Sequence, residues 1–118
     1  MPQINRKRLI IEGFYEFKIT PEFIENFLEE LSKRLGMSII TGPLIFSPSS
    51  KAHSTHIGLA GFMAWVESGV SFYTWSNYKF FTLDIYTCKD FKIGEAVEFA
   101  RKALSSPKLV YEEFHYED

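Results

Sequence analysis

A chain of 118 residues is long enough for one domain with its own core, and a formal net charge of −2 gives no electrostatic argument for nucleic acid or an anionic membrane. No apolar run approaches the ~20 residues of a membrane span, the basic stretch Asn5-Arg6-Lys7-Arg8 precedes any signal-like apolar segment, and Cys88, being alone, cannot form an internal disulfide. The expectation is a soluble, cytoplasmic domain spanning 1–118, whose twelve Phe and six Tyr exceed what one small core needs, so some should face a partner subunit or a ligand.

The basic stretch reads as a solvated lead-in to a strand over Arg8 to Tyr15, carried by Leu9, Ile10, Ile11, Phe14 and Tyr15. Thr20-Pro21 opens a helix, with Thr20 as N-cap and Pro21 in the first turn. Phe23, Ile24, Phe27, Leu28, Leu31 and Leu35 form its apolar stripe, and Gly36 supplies its stop. Met37 to Phe46 is a second strand, interrupted at Gly42-Pro43. Ser47 to His56 is a polar loop carrying His53 and His56. Three more strands follow over Ile57–Glu67, Gly69–Trp75 and Lys79–Cys88, with a turn at Ser76-Asn77. Asp90 is expected to cap a second helix whose face is Ile93, Val97, Ala100 and Leu104; beyond Pro107, Leu109 to Tyr116 alternates as a last strand. The order β-α-β-β-β-β-α-β predicts a two-layer α/β sandwich, a mainly antiparallel sheet with two helices on one face. A helix–strand–strand pattern occurs twice, but the halves are too dissimilar to form a repeat.

The stretch Gly61 to Cys88 holds a Glu-Ser pair, a Thr-Trp pair and an Asp-x-x-Thr-Cys. It resembles the central motif of bacterial and archaeal S-adenosylmethionine decarboxylases, which runs in residue types Glu-Ser, then Ser-x-His-Thr-Trp-Pro-Glu, then Asp-x-x-Thr-Cys. Glu67, Ser68, Ser71, Thr74, Trp75, Asp84, Thr87 and Cys88 match it without a gap. The resemblance implies a decarboxylase of polyamine (spermidine) biosynthesis that makes its own prosthetic group. The Ser68 hydroxyl would attack the Glu67 carbonyl, elimination would split the chain into 1–67 and 68–118, and residue 68 would become a pyruvoyl group serving as electron sink. It further implies Cys88 as proton donor to the product, Trp75 and Asn77 at substrate-binding positions, no metal, S-adenosylmethionine or a related amine as substrate, and a homodimer.

Four positions depart from the pattern. Tyr73 stands where the family has the histidine that removes the serine α-proton, and a phenol is a poorer base than an imidazole near neutral pH. Ala60 replaces a second processing serine, and Asn77 replaces the glutamate that accepts the ribose hydroxyls, with Ser76 in place of the preceding proline. An amide accepts from a diol less strongly than a carboxylate does. His56 is a second candidate for the processing base, unless both loop histidines are simply solvated. Ser68-Gly69 is equally a turn sequence, and Cys88 a small hydrophobe at a strand end. Beside the self-processing decarboxylase therefore stands an unprocessed, non-catalytic homologue acting as a binding or regulatory subunit, paired with an active paralogue.

Overall fold

The first helix starts as its residue types demand. In the computed structural model, which describes residues 4–47 and 57–116, the Phe23 N–H donates to Thr20 Oγ1 at 3.1 Å, and the helix runs Pro21–Arg34 (α1). Gly36, at φ +70°, takes the left-handed stop that a side chain would resist. The 3.6-residue spacing puts Ile24, Phe27, Leu28 and Leu31 on one stripe, and all four are buried.

Six strands accompany it: β1 (Arg6–Phe14), β2 (Ile39–Phe46), β3 (Ala60–Trp65), β4 (Ser68–Trp75), β5 (Phe80–Thr87) and β6 (Val110–Tyr116), with α2 (Ile93–Ala103) between the last two. They form one sheet in the order β2-β3-β4-β5-β1-β6, every neighbouring pair antiparallel. Period-2 alternation sends Leu9 and Ile11, Met63 and Trp65, Val70 and Phe72, and Phe81, Leu83 and Ile85 to one side, where both helices cover them. The contact is close at Gly61, where a Cβ would lie 2.6 Å from Ile24 Cγ2. Buried Trp65 is tied to the helical layer by its indole N–H, which donates to Ser32 Oγ at 2.8 Å; that hydroxyl donates to Leu28 O at 2.7 Å. Among the described residues, no helix covers the other side of the sheet, which displays Phe14, Phe46, Tyr73 and Tyr86, all exposed. The two-layer sandwich, with both helices on one side of an antiparallel sheet, is the architecture its sequence predicts.

Three local expectations change. The basic run is not a lead-in: β1 begins at Arg6, and Arg6, Lys7 and Arg8 are half-buried within it. The strand before the Glu-Ser pair is shorter at both ends than Ile57–Glu67: ahead of β3 proper, the Ile57 and Leu59 carbonyls accept the Ser76 and Thr74 N–H, but the Leu59 N–H goes to Thr74 Oγ1 at 2.9 Å instead of to a backbone carbonyl. Asp90 does not cap α2, whose N-cap is Lys92 without a side-chain bond. Instead Asp90 Oδ1 accepts the Phe91 N–H at 2.9 Å and pairs with Lys7 Nζ, which holds its carboxyl below the usual range.

Candidate processing site on the β3–β4 hairpin

A two-residue loop, Val66-Glu67, joins β3 to β4, with Trp65 and Ser68 as its closing pair. The loop is held from outside by a residue far away in sequence. Ser38, just after α1, accepts the Val66 N–H at 2.8 Å and donates its own N–H to the Glu67 carboxylate at 3.0 Å. That donation is the largest cause of a Glu67 carboxyl held below the usual range, and Lys89 acts in the same direction.

Ser68 is exposed, as an attacking hydroxyl must be, and its φ is +142°. Only glycine adopts that region without cost; for a serine the strain is about 1–3 kcal/mol. Backbone strain at the residue whose amide would be broken favours any step that releases it. The carbonyl on the other side of that amide is also prepared: Glu67 O accepts the Cys88 N–H at 2.9 Å. Ser68 and Thr87 are direct partners across β4 and β5, which is why the cysteine one residue on arrives there. A fixed N–H aimed at a carbonyl oxygen stabilises the negative charge that oxygen gains when a nucleophile adds.

Two recesses flank this corner. One, of about 330 Å³ on the open face, is lined by Ser68, Gly69, Ser71, Asp84, Tyr86 and Arg8. Its floor is charged but internally matched. Arg8 Nε and Asp84 Oδ1 are buried atoms 3.3 Å apart, an ion pair without aligned hydrogen-bond geometry, and the guanidinium lies 5.0 Å from the Tyr86 ring centroid. The other, about 130 Å³, is lined by exposed Cys88 with Lys7, Asp90 and His115.

The structure therefore brings Glu67, Ser68 and Cys88 together, and it does not bring the other candidates to them. Tyr73 lies five positions along β4, roughly 16 Å from Ser68 at 3.3 Å per residue. Its ring packs against Phe62 at 5.4 Å, T-shaped, and its direct cross-strand partner is Ala60. Trp75 is farther still, half-buried and 5.5 Å from the Phe80 ring, and Asn77 sits exposed in the β4–β5 turn. His53 and His56 lie outside the described residues. The sequence reading missed Ser38, for which no local signal exists, and Arg8, whose outward position in β1 follows from the alternation of Leu9 and Ile11. Among the described residues no three His, Cys, Asp or Glu side chains gather as metal ligands, and no helix is long and apolar enough to cross a membrane.

A helix-backed antiparallel sheet with a strained serine in a hairpin and a cysteine bonded to the preceding carbonyl defines the class: an α/β sandwich of the S-adenosylmethionine decarboxylase type. A family model described as S-adenosylmethionine decarboxylase matches residues 15–116, and the chain belongs to that family. The fold agrees with the crystal structure of the adenosylmethionine decarboxylase from Aquifex aeolicus VF5, with a TM-score of 0.75, 20% identity, and 97% of this chain and 91% of that chain covered. No curated protein matches the chain in sequence.

Proposed function

We propose that this chain is a decarboxylase subunit cut between Glu67 and Ser68 by its own Ser68 hydroxyl, leaving 1–67 and 68–118 with a pyruvoyl group at position 68. The observation that carries this is the strained, exposed Ser68 next to a carbonyl that already accepts the Cys88 N–H. Ser68 Oγ adds to the Glu67 carbonyl carbon, its proton passes to the Ser68 nitrogen, and the C–N bond breaks to leave an ester. The strain at φ +142° is lost in that step, and the Cys88 N–H holds the oxyanion on the way. A base then takes the Ser68 α-proton, the Cβ–Oγ bond breaks, and Glu67 departs with its carboxylate; water enters at residue 68 and ammonia leaves.

The residues present fit the prosthetic group at its point of origin. Ser68 is the atom source, the open-face recess offers room beside it, and Cys88 is a thiol one position beyond its cross-strand partner. Once formed, a pyruvoyl group supplies a ketone that takes up a substrate amine and draws electrons as carbon dioxide leaves. Cys88 is then the proton donor to the product carbon. The reading places the chain in the cytoplasm, in polyamine (spermidine) biosynthesis, with S-adenosylmethionine or a related amine as substrate. Asn77 in place of a carboxylate favours the related amine. The exposed aromatic residues of the open sheet face support assembly as a dimer through that face.

Hydroxylamine tests the first step without needing the base. It cleaves an ester but not a peptide bond of this chain, which contains no Asn-Gly pair. Mass spectrometry after treatment is expected to give 1–67 as its hydroxamate together with 68–118, and Ser68→Ala abolishes both. An intact 13.7 kDa species after prolonged treatment refutes the reading.

A further inference from the structure

The two edges of the sheet are built differently. β2, at one end of the strand order, meets β3 with register shifts on both sides of Thr41, carries Gly42 at φ +106° and has Pro43, which lacks an N–H. Shifts of this kind and proline keep an edge strand from pairing further. β6, at the other end, pairs with β1 through seven residues without a shift, and contains no proline, glycine or lysine. Among the described residues no strand pairs with its outer side. Six of its seven residues are exposed, Val110 and Tyr111 by more than half. Such an edge offers free N–H and C=O groups to another strand.

Charge selects the strand that fits. Two copies of β6 related by a two-fold axis normal to the sheet pair antiparallel and keep their faces. Tyr111, Glu113 and His115 then stay on the helix side, and Glu112, Phe114 and Tyr116 on the open side. Three symmetric registers join five or more residues of this strand. Centring on Glu113 opposes Glu113 to its own copy, and centring on Glu112 does the same to Glu112; like charges directly opposite disfavour both. Centring on Phe114 removes the conflict. It sets the two Phe114 rings against each other, Glu113 opposite the second copy's His115, and Glu112 opposite its Tyr116. Behind those residues stands the basic end of β1: Lys7 is the cross-strand neighbour of His115, and Arg6 lies 5.8 Å from the Tyr116 ring centroid. The acidic middle of each strand meets the basic end of the other, twice about the axis.

We infer that β6 is a self-pairing edge: two copies of this chain join through antiparallel β6 strands centred on Phe114, doubling the six-stranded sheet. The contact leaves the open face and the Ser68 corner uncovered, so it is independent of the chemistry proposed for Ser68. It borders the Cys88 recess, because His115 is in that wall.

Five paired residues make a contact smaller than a standard interface of about 1,600 Å², so the test traps it. Single cysteines are placed at positions 112, 113 and 114 of full-length chains carrying Cys88→Ser, and disulfide-linked dimer is followed on non-reducing gels. Residues directly opposite in an antiparallel pair have Cα atoms about 4.5–5.5 Å apart, within disulfide reach. Phe114→Cys, at the position that faces itself, is expected to cross-link about tenfold faster than Glu112→Cys or Glu113→Cys. A mixture of Glu113→Cys chains with His115→Cys chains is expected to form mixed dimers faster than either chain links to itself. That pair lies on the helix side, out of reach of a contact through the open face, and needs no change at Phe114. Glu113→Lys is expected to slow Phe114→Cys cross-linking about tenfold, and adding His115→Glu to restore it. Fastest cross-linking at 112 or 113 means another register and overturns the inference. Equal rates at all three positions, or a mixture no faster than its parts, overturn it as well.

Discussion

Replacing Ser68 by glycine separates the strain at the hairpin from the chemistry of its hydroxyl. At φ +142° a serine costs about 1–3 kcal/mol that glycine does not. Glycine brings back about 0.5–1 kcal/mol of extra freedom to the unfolded chain, so the net gain for Ser68→Gly is about 1 kcal/mol. Ser68→Ala is the control: it removes the same oxygen but keeps the Cβ, and with it the strain. In urea the glycine variant should shift its midpoint upward by about 0.5 M at unchanged slope, and its melting temperature by about 4 °C. The alanine variant, an exposed change, should stay within about 0.5 kcal/mol of the parent. Equal midpoints for the two variants would refute the claim that the backbone at Ser68 is under load. A less stable glycine variant would do so more forcefully.

Trp65→Phe leaves Ser32 Oγ without its indole donor and opens space in the core, so a loss of about 2 kcal/mol is expected by denaturant titration. Gly61→Ala drives a methyl against Ile24 Cγ2 and should cost about 1–3 kcal/mol by the same measurement, with far-UV dichroism unchanged. The Asp90 carboxyl, lowered by its hydrogen bond to Lys7, contributes stability that is present above its unfolded value and fades as pH falls through its folded one. Lys7→Met should return the Asp90 titration toward the ordinary carboxylate range in an NMR pH series, and remove that share of the acid-side slope. Glu67→Gln should likewise remove a carboxylate titration held low by the Ser38 N–H, and loosen the hairpin as read by amide exchange at Val66.

The elements were legible because each is fixed locally. The cap at Thr20, the stripe from Ile24 to Leu31 and the stop at Gly36 need only a few neighbouring residues to be recognised. The alternation of β4 and β5 likewise marks which side chains meet the helices. Asp90 was misread because an acidic residue ahead of a helix has two uses, and the choice depended on Lys7, 83 positions earlier. The site divides the same way. The Glu-Ser pair and the cysteine are adjacent through strand register, which motif spacing encodes. The distance from Ser68 to Tyr73 is a matter of strand rise, so a short sequence separation concealed a long one in space. Ser38 carried no signal, since its hold on the hairpin runs mainly through two backbone groups that any residue but proline supplies, its hydroxyl adding a smaller bond to Glu67.

The order of the strands has a consequence for a cut chain. The piece 1–67 would own β1, β2 and β3, and the piece 68–118 would own β4, β5 and β6; yet β1 is inserted between β5 and β6. Neither piece could leave without unzipping two ladders on one side and the β3–β4 ladder on the other. A nick at the hairpin would free two new ends and no new body, like a knot cut at its loose tail, so the pieces should travel as one particle until a denaturant parts them.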